Sequence, residues 1–189
     1  PEQLRNLLGA FDVVPLSEQI LSDIDFLALY KQLEATAPIA LLESGDQSGS
    51  SYLAWGEIEQ PFALDCQLAA GAPSAASFAD VFSGRFSRSI YDDGSMSGLV
   101  GGFLAGGIGY LSYDAVRRIE ELPSHAECDL KIPHAWFFFP RFVLVRDHSA
   151  GTLRLTCLLQ EQDCGDLEQL KAEFLELRTI LIEASDQAE

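Results

Sequence analysis

The sequence predicts an α+β domain, a mostly antiparallel sheet layered with helices. Three observations lead there. Short apolar runs joined by polar turns, at residues 39–55 and 135–159, read as antiparallel strand pairs. Two other stretches, at 23–35 and 166–184, space their apolar residues by three and four, as amphipathic helices do. Finally, 48% of the 189 residues are apolar and 22% are charged. That composition supports a packed core and excludes wholesale disorder. The length suits a single domain over residues 1–189.

Residues 1–21 carry mixed signals, because Pro15 breaks any continuous helix. The first firm element is a helix from Asp23 to Ala35. There Phe26, Leu29, Tyr30 and Leu33 form a stripe, and Ser22 with Asp25 resembles a capping box. Pro38 ends it. Ile39-Ala40-Leu41-Leu42 then reads as a buried strand, and the polar turn Gly45–Ser51 leads into its partner, Tyr52–Trp55. Phe62, Leu64, Cys66 and Leu68 alternate with polar or small residues as a third strand. Residues 70–77 are small and flexible, Ser77–Phe82 suits a short helix, and Asp92–Gly98 a loop. Ser112 is placed to cap a helix running to Glu121. Ala135–Val145 reads as one long aromatic strand in which Pro140 demands a bulge or an edge position. A turn at Asp147–Gly151 returns the chain through Leu153, Leu155, Cys157 and Leu159. In the last helix, Leu167, Leu170, Phe174, Leu177 and Leu181 form one apolar face. The sum is about seven strands and three or four helices.

With 12 basic and 29 acidic residues the chain carries a net charge of −17. Such a field repels phosphate and argues against binding nucleic acid or an anionic membrane surface. No apolar run approaches the roughly eighteen residues of a membrane span. The N-terminus has no leader pattern and no initiator Met, so a processed or truncated cytoplasmic chain is expected. The 4 cysteines, Cys66, Cys128, Cys157 and Cys164, are scattered and form no Cys-x-x-Cys pair. They read as reduced thiols rather than a disulfide framework or a zinc site.

Among possible motifs, the glycines from Gly101 to Gly109 lack the third glycine of a dinucleotide fingerprint and any following phosphate-loop lysine. Glycines inside a strand more often mark close backbone contact. His125, His134 and His148 fit no metal-ligand spacing and read as exposed side chains. Asp114, Arg117, Arg118, Glu120 and Glu121 pair by helical spacing as a solvated face. In Leu41-Leu42-Glu43-Ser44, by contrast, a carboxylate and a hydroxyl stand together where a strand ends. They could accept from a ligand's ammonium, or Ser44 could simply cap the turn.

Taken in order, these segments resemble the N-terminal domain of anthranilate synthase component I. The matching residues are the Leu41-Leu42-Glu43-Ser44 box, Gly106-Gly107-Ile108-Gly109-Tyr110 with Tyr113-Asp114, the helix end Arg118–Pro123, and Asp147-His148 before a Leu-rich strand. The resemblance runs from about Asp23 to Gln160. It implies a region that helps to line an L-tryptophan feedback site through Leu42, Glu43, Ser44 and Ser51. Ser51 stands where the family usually carries a cation, which removes one partner for a ligand carboxylate. The chorismate-binding, Mg²⁺-dependent catalytic half of the family lies C-terminal to this region. No catalytic or metal residue is therefore expected here, and this chain alone is expected to be inactive. The partner implied is a glutamine amidotransferase subunit acting on the parent. Aminodeoxychorismate synthase component I shares the domain and is the neighbouring alternative, and a free-standing amino-acid-binding domain is a further one.

Overall fold

The computed structural model describes residues 2–21, 24–34, 38–46, 48–64, 83, 89–92, 105–118, 120 and 130–186. The chain runs α1 (Glu2–Leu8), β1 (Val14–Ile20), α2 (Phe26–Leu33), β2 (Ile39–Leu42), β3 (Ser50–Trp55), β4 (Glu59–Leu64) and β5 (Ile108–Leu111). After a 3-10 turn (Tyr113–Arg118) come β6 (Ala135–Phe139), β7 (Phe142–Asp147), β8 (Thr152–Leu159), a second 3-10 turn (Glu161–Gly165) and α3 (Leu167–Asp186). The strands form two antiparallel sheets, one ordered β1-β8-β7-β3-β2 and one ordered β4-β6-β5. This is the expected α+β architecture. The larger sheet with the three α-helices forms one compact unit, and the smaller sheet with the first 3-10 turn forms another.

In the larger unit, cross-strand register decides which side chains share a face. Leu53 pairs with Leu144, and Leu144 with Leu155. All three are fully buried, each adding about 1.5–3 kcal/mol of apolar transfer. The helices cover this face with Leu8 from α1, Phe26 and Leu29 from α2, and Leu181 from α3. The stripe expected along α3 packs as its spacing requires, since Leu167, Leu170, Phe174 and Leu177 lie against the same cluster. The opposite face is buried too: Ala54, Val143, Thr156 and Leu158 are all inaccessible. There Ser17 Oγ and Thr156 Oγ1 satisfy each other at 2.8 Å.

Several expectations are corrected. The ambiguous N-terminus contains both α1 and β1. Pro15 is tolerated because β1 is an edge strand, so among the described strands no second neighbour needs its missing N–H. The cap of α2 is Asp25 rather than Ser22. Its Oδ1 accepts from Leu27 N–H at 2.9 Å and Ala28 N–H at 3.1 Å. Residues 22 and 23 lie outside the described residues. Strand β2 is also an edge strand and is only partly buried, with Leu42 half exposed.

The long aromatic strand is two strands. Neither Pro140 nor Arg141 is part of a ladder, and β6 and β7 belong to different sheets. Arg141 instead anchors the residues just before β7 to β8 and the turn after it. Its Nη1 donates to Leu158 O at 2.9 Å and to Asp163 Oδ2 at 2.5 Å.

In the smaller unit, Pro61 lies within a register shift between Glu59 and Phe62 on the edge strand β4. Gly109 bears out the close-contact reading of the glycine run. A Cβ there would meet Trp136 O at 1.9 Å, so only glycine fits between β5 and β6. The helix expected after Ser112 is a 3-10 turn, and the side chain does not cap it. Ala115 N–H bonds instead to Ser112 O at 3.1 Å, while Ser112 Oγ is buried without a partner among the described residues. His134, expected to be exposed, is buried. The proposed strand positions Cys66 and Leu68, the segments 70–77, 77–82 and 93–98, the pair His125 and Cys128, and the Arg117 and Arg118 side chains all lie outside the described residues.

Candidate functional site

The Leu-Leu-Glu-Ser segment ends the edge strand β2, and the turn beyond it is built around one carboxylate. Asp46 Oδ1 accepts from Ser44 Oγ–H at 2.9 Å and from Ser48 N–H at 3.1 Å. Its Oδ2 accepts from Ser48 Oγ–H at 2.6 Å. The Ser48 hydroxyl, then the Ser48 N–H and the Ser44 hydroxyl, pull the Asp46 carboxyl down to about 2 from 3.8. The Ser44 hydroxyl thus takes the turn-capping role open to it from the sequence.

The Ser44 main chain reaches further. Its N–H donates to Ser51 Oγ at 3.1 Å, and Ser51 Oγ lies 2.8 Å from His148 Nε2. His148 N–H in turn donates to Gly49 O at 3.0 Å. These bonds tie the β2–β3 turn to the β7–β8 turn. The latter is built in the same way. The buried Asp147 carboxylate accepts from Ser149 N–H at 2.9 Å, Ser149 Oγ–H at 2.6 Å and Ala150 N–H at 3.0 Å. The Ser149 hydroxyl, followed by the Ala150 N–H, holds the Asp147 carboxyl below its usual range.

Of the residues singled out by the resemblance, Ser44 and Ser51 are brought together and share a hydrogen bond. Glu43 is exposed and lies one residue past the end of β2. Leu41 pairs with Leu53, so the same register carried one pleat further sets Glu43 beside Ser51. Leu42 pairs with Tyr52 and therefore points to the opposite face from Ser51.

Two residues of this end were not in the sequence-based set. His148 is half buried and bonded to Ser51, which corrects its reading as a solvated side chain. Arg146 stands directly across from Ser51 in the β3–β7 ladder. Its Nη2 donates to Ile24 O, and its guanidinium carbon lies 4.7 Å from the Phe26 ring centroid. The available signal was the hairpin itself: an Asp-His at the tip, preceded by a basic residue facing position 51 once the register is fixed. An open cavity of about 510 Å³ adjoins these groups, lined by Gln19, Leu21, Arg146, Asp147, His148 and Thr152 among others.

Among the described residues no three His, Cys, Asp or Glu side chains converge to hold a metal ion. Cys157 and Cys164 are free thiols. No described helix is long and apolar enough to cross a membrane.

This sheet end thus combines a row of bonded polar side chains with an adjoining open cavity. The comparisons are more particular. The chain is 30% identical over 166 residues to anthranilate synthase component 1 of Mycolicibacterium smegmatis, covering 82% of this chain and 31% of that protein. The same protein of Mycobacterium tuberculosis is 29% identical over 178 residues, covering 82% of this chain and 32% of the relative. That of Saccharolobus solfataricus is 34% identical over 83 residues, or 43% of this chain and 20% of the relative. The chain thus spans about a third of the length of the curated relatives it matches most extensively. No family model matches the sequence.

Proposed function

We propose that this chain is the N-terminal region of a chorismate-utilising enzyme, and that the polar end of its larger sheet forms part of an amino-acid effector site. More particularly, the proposed parent is anthranilate synthase component 1. It would take chorismate and ammonia, delivered by a glutamine amidotransferase subunit in the cytoplasm, to anthranilate and pyruvate. The proposed effector is L-tryptophan. Chorismate binding and Mg²⁺ are assigned to the remaining, C-terminal part of the parent, and no catalytic step to this chain.

One observation carries the reading. In a chain similar over 82% of its length to anthranilate synthase component 1, the Leu-Leu-Glu-Ser segment ends in a bonded Ser44–Ser51–His148 relay, whose last member lines an open cavity. The chemistry suits an amino acid. The exposed Glu43 carboxylate accepts an ammonium in a charge-assisted bond. The Ser44–Ser51 bond holds the turn that presents it. Ligand binding that re-aims this turn gives two states with different affinities, the requirement for coupling to a distant active site.

Titration of the chain with L-tryptophan, followed by amide chemical shifts, tests the proposal. Saturable, weak-binding shifts at Glu43, Ser44, Ser51 and His148 are expected, because the rest of the pocket belongs to the catalytic part. No shift at these positions, or shifts confined elsewhere, would overturn the effector site. A submicromolar dissociation constant would contradict the shared pocket and favour a self-sufficient binding domain. The parent reaction is read separately, by incubating the full-length protein with chorismate and ammonia. Fluorescent anthranilate supports the assignment, whereas aminodeoxychorismate without anthranilate moves it to the related synthase.

A further inference from the structure

We propose that the wedge between β1, α1 and α3 is a separate binding site, one that takes an uncharged two-ring aromatic molecule. It shares no lining residue with the cavity at the polar sheet end and does not depend on the effector reading. In β1, Val14, Leu16, Glu18 and Ile20 face the helices, paired with Leu159, Cys157, Leu155 and Leu153 of β8. Val14 and Ile20 are 1% and 4% exposed, yet Leu16 between them is 42% exposed. This apolar face is closed at both ends and open in the middle. The opening is a cavity of about 430 Å³, walled by Leu4, Leu16, Cys157, Leu159, Leu170 and Phe174.

Helix α3 spans this opening from supports on either side. Leu167 at its start packs on the core cluster, and Leu181 further along is fully buried. Arg178 Nε also donates to Glu18 Oε1 at 2.7 Å, tying the helix to β1. Between these supports Leu170 and Phe174 are only partly buried. The wall has no polar group to spare. The Ser17 hydroxyl meets Thr156 on the other face, Glu18 is paired with Arg178, and burial keeps the Cys157 thiol protonated. A charged or strongly hydrogen-bonding body would lose its hydration there without return. An aromatic body instead gains contact with the leucines and the Phe174 ring. A cavity of about 150 Å³ with such a lining takes up benzene, so roughly three times that volume accommodates two fused rings. The rim carries Glu168 and Lys171, both exposed and without an ion pair among the described residues. A protein surface laid over the wedge would desolvate both charges. A small molecule inside it leaves them in water.

Titration of the chain with 2-naphthol, followed by ligand fluorescence and by side-chain NMR signals, tests the site. Saturable binding is expected, with shifts at Leu16, Leu170 and Phe174 and none at His148. Absence of saturable binding, or shifts confined to other residues, would overturn the proposal. Two analogues then probe the ligand class: 2-naphthoate adds a negative charge to the same rings, and 2-naphthylmethylamine a positive one. Each is expected to bind about tenfold more weakly than 2-naphthol. A charged analogue that binds as tightly would overturn the assignment to an uncharged ligand.

Leu16→Trp puts a two-ring side chain into the cavity itself. It is expected to weaken 2-naphthol about tenfold or more without lowering the unfolding midpoint, and undiminished binding would overturn the site. Should that variant fail to fold, the wild-type shifts and the analogue series still decide. Dilution of the ligand-free chain separates the other occupant. Leu16 and Leu170 signals should be independent of protein concentration, and signals that move with it would place a second copy in the wedge and overturn the proposal.

Discussion

The two ends of the larger sheet are made by the same strands and have opposite chemistry. At one end Trp55, Phe142 and Cys157 follow one another across β3, β7 and β8. The Trp55 and Phe142 rings stack with centroids 5.6 Å apart. Burial pushes the Cys157 thiol up to about 12, against the opposing pull of Arg141. Four residues along β3, about 13 Å away, the same row reads Ser51 and Arg146 and opens into a cavity. The polar groups at the apolar end serve the fold: Arg141 and Asp163 pair at 2.5 Å, and Asp163 also accepts from Gln160 N–H at 2.7 Å. At the polar end they join two turns beside an open cavity. The difference teaches a division of labour. Burial at one end holds the strands, and the strands hold the polar row in register at the other.

Substitutions can break this division on either side. The largest effect is expected from Phe142→Ala, which removes the Trp55 stack and opens a cavity. Denaturant unfolding should show a loss of about 3–5 kcal/mol. Below the new midpoint, L-tryptophan binding should be unaffected. Asp163→Ala strips Arg141 of its carboxylate partner and the second 3-10 turn of its cap. The side chains are 15% and 10% exposed, so the loss should be about 2 kcal/mol, below that of a fully buried pair. Ser51→Ala deletes the hydroxyl that Ser44 N–H and His148 share at the polar end. It should cost about 1–2 kcal/mol in stability while weakening L-tryptophan about tenfold.

The smallest effect belongs to Asp46, whose carboxyl is lowered from 3.8 to about 2. A depressed acid contributes order that is fully present above its ordinary value and lost as pH falls through its folded value. The amide signals of Ser48 should therefore lose their turn-like shifts between roughly pH 4 and 2. Asp46→Asn should abolish that titration with little change in the unfolding midpoint.

Much of the fold was legible because periodicity and turns are local signals. The stripe Leu167 to Leu181, the pair β2–β3 and the hairpin β7–β8 all follow from spacing and polar connectors. Long-range partners were not legible. Pro15 reads as a helix breaker, and only pairing of β1 with β8 at a sheet edge shows why a strand tolerates it. Pro140 signals an interruption, yet nothing in 135–145 says that the chain changes sheets there. The site divides likewise. Glu43 and Ser44 were visible as chemistry at a strand end. Ser51 was marked only by the family pattern. Arg146 and His148 lie about a hundred residues away in sequence from Ser51 and enter only through the β3–β7 register.

The most direct test of the account is the ratio of L-tryptophan dissociation constants for Ser51→Ala and Phe142→Ala, measured by chemical-shift titration under conditions where both are folded. The account predicts a ratio near ten, with Phe142→Ala matching the wild-type chain although it is the less stable of the two. A ratio of one, or weaker binding by Phe142→Ala, would contradict the division between a supporting and a recognising end.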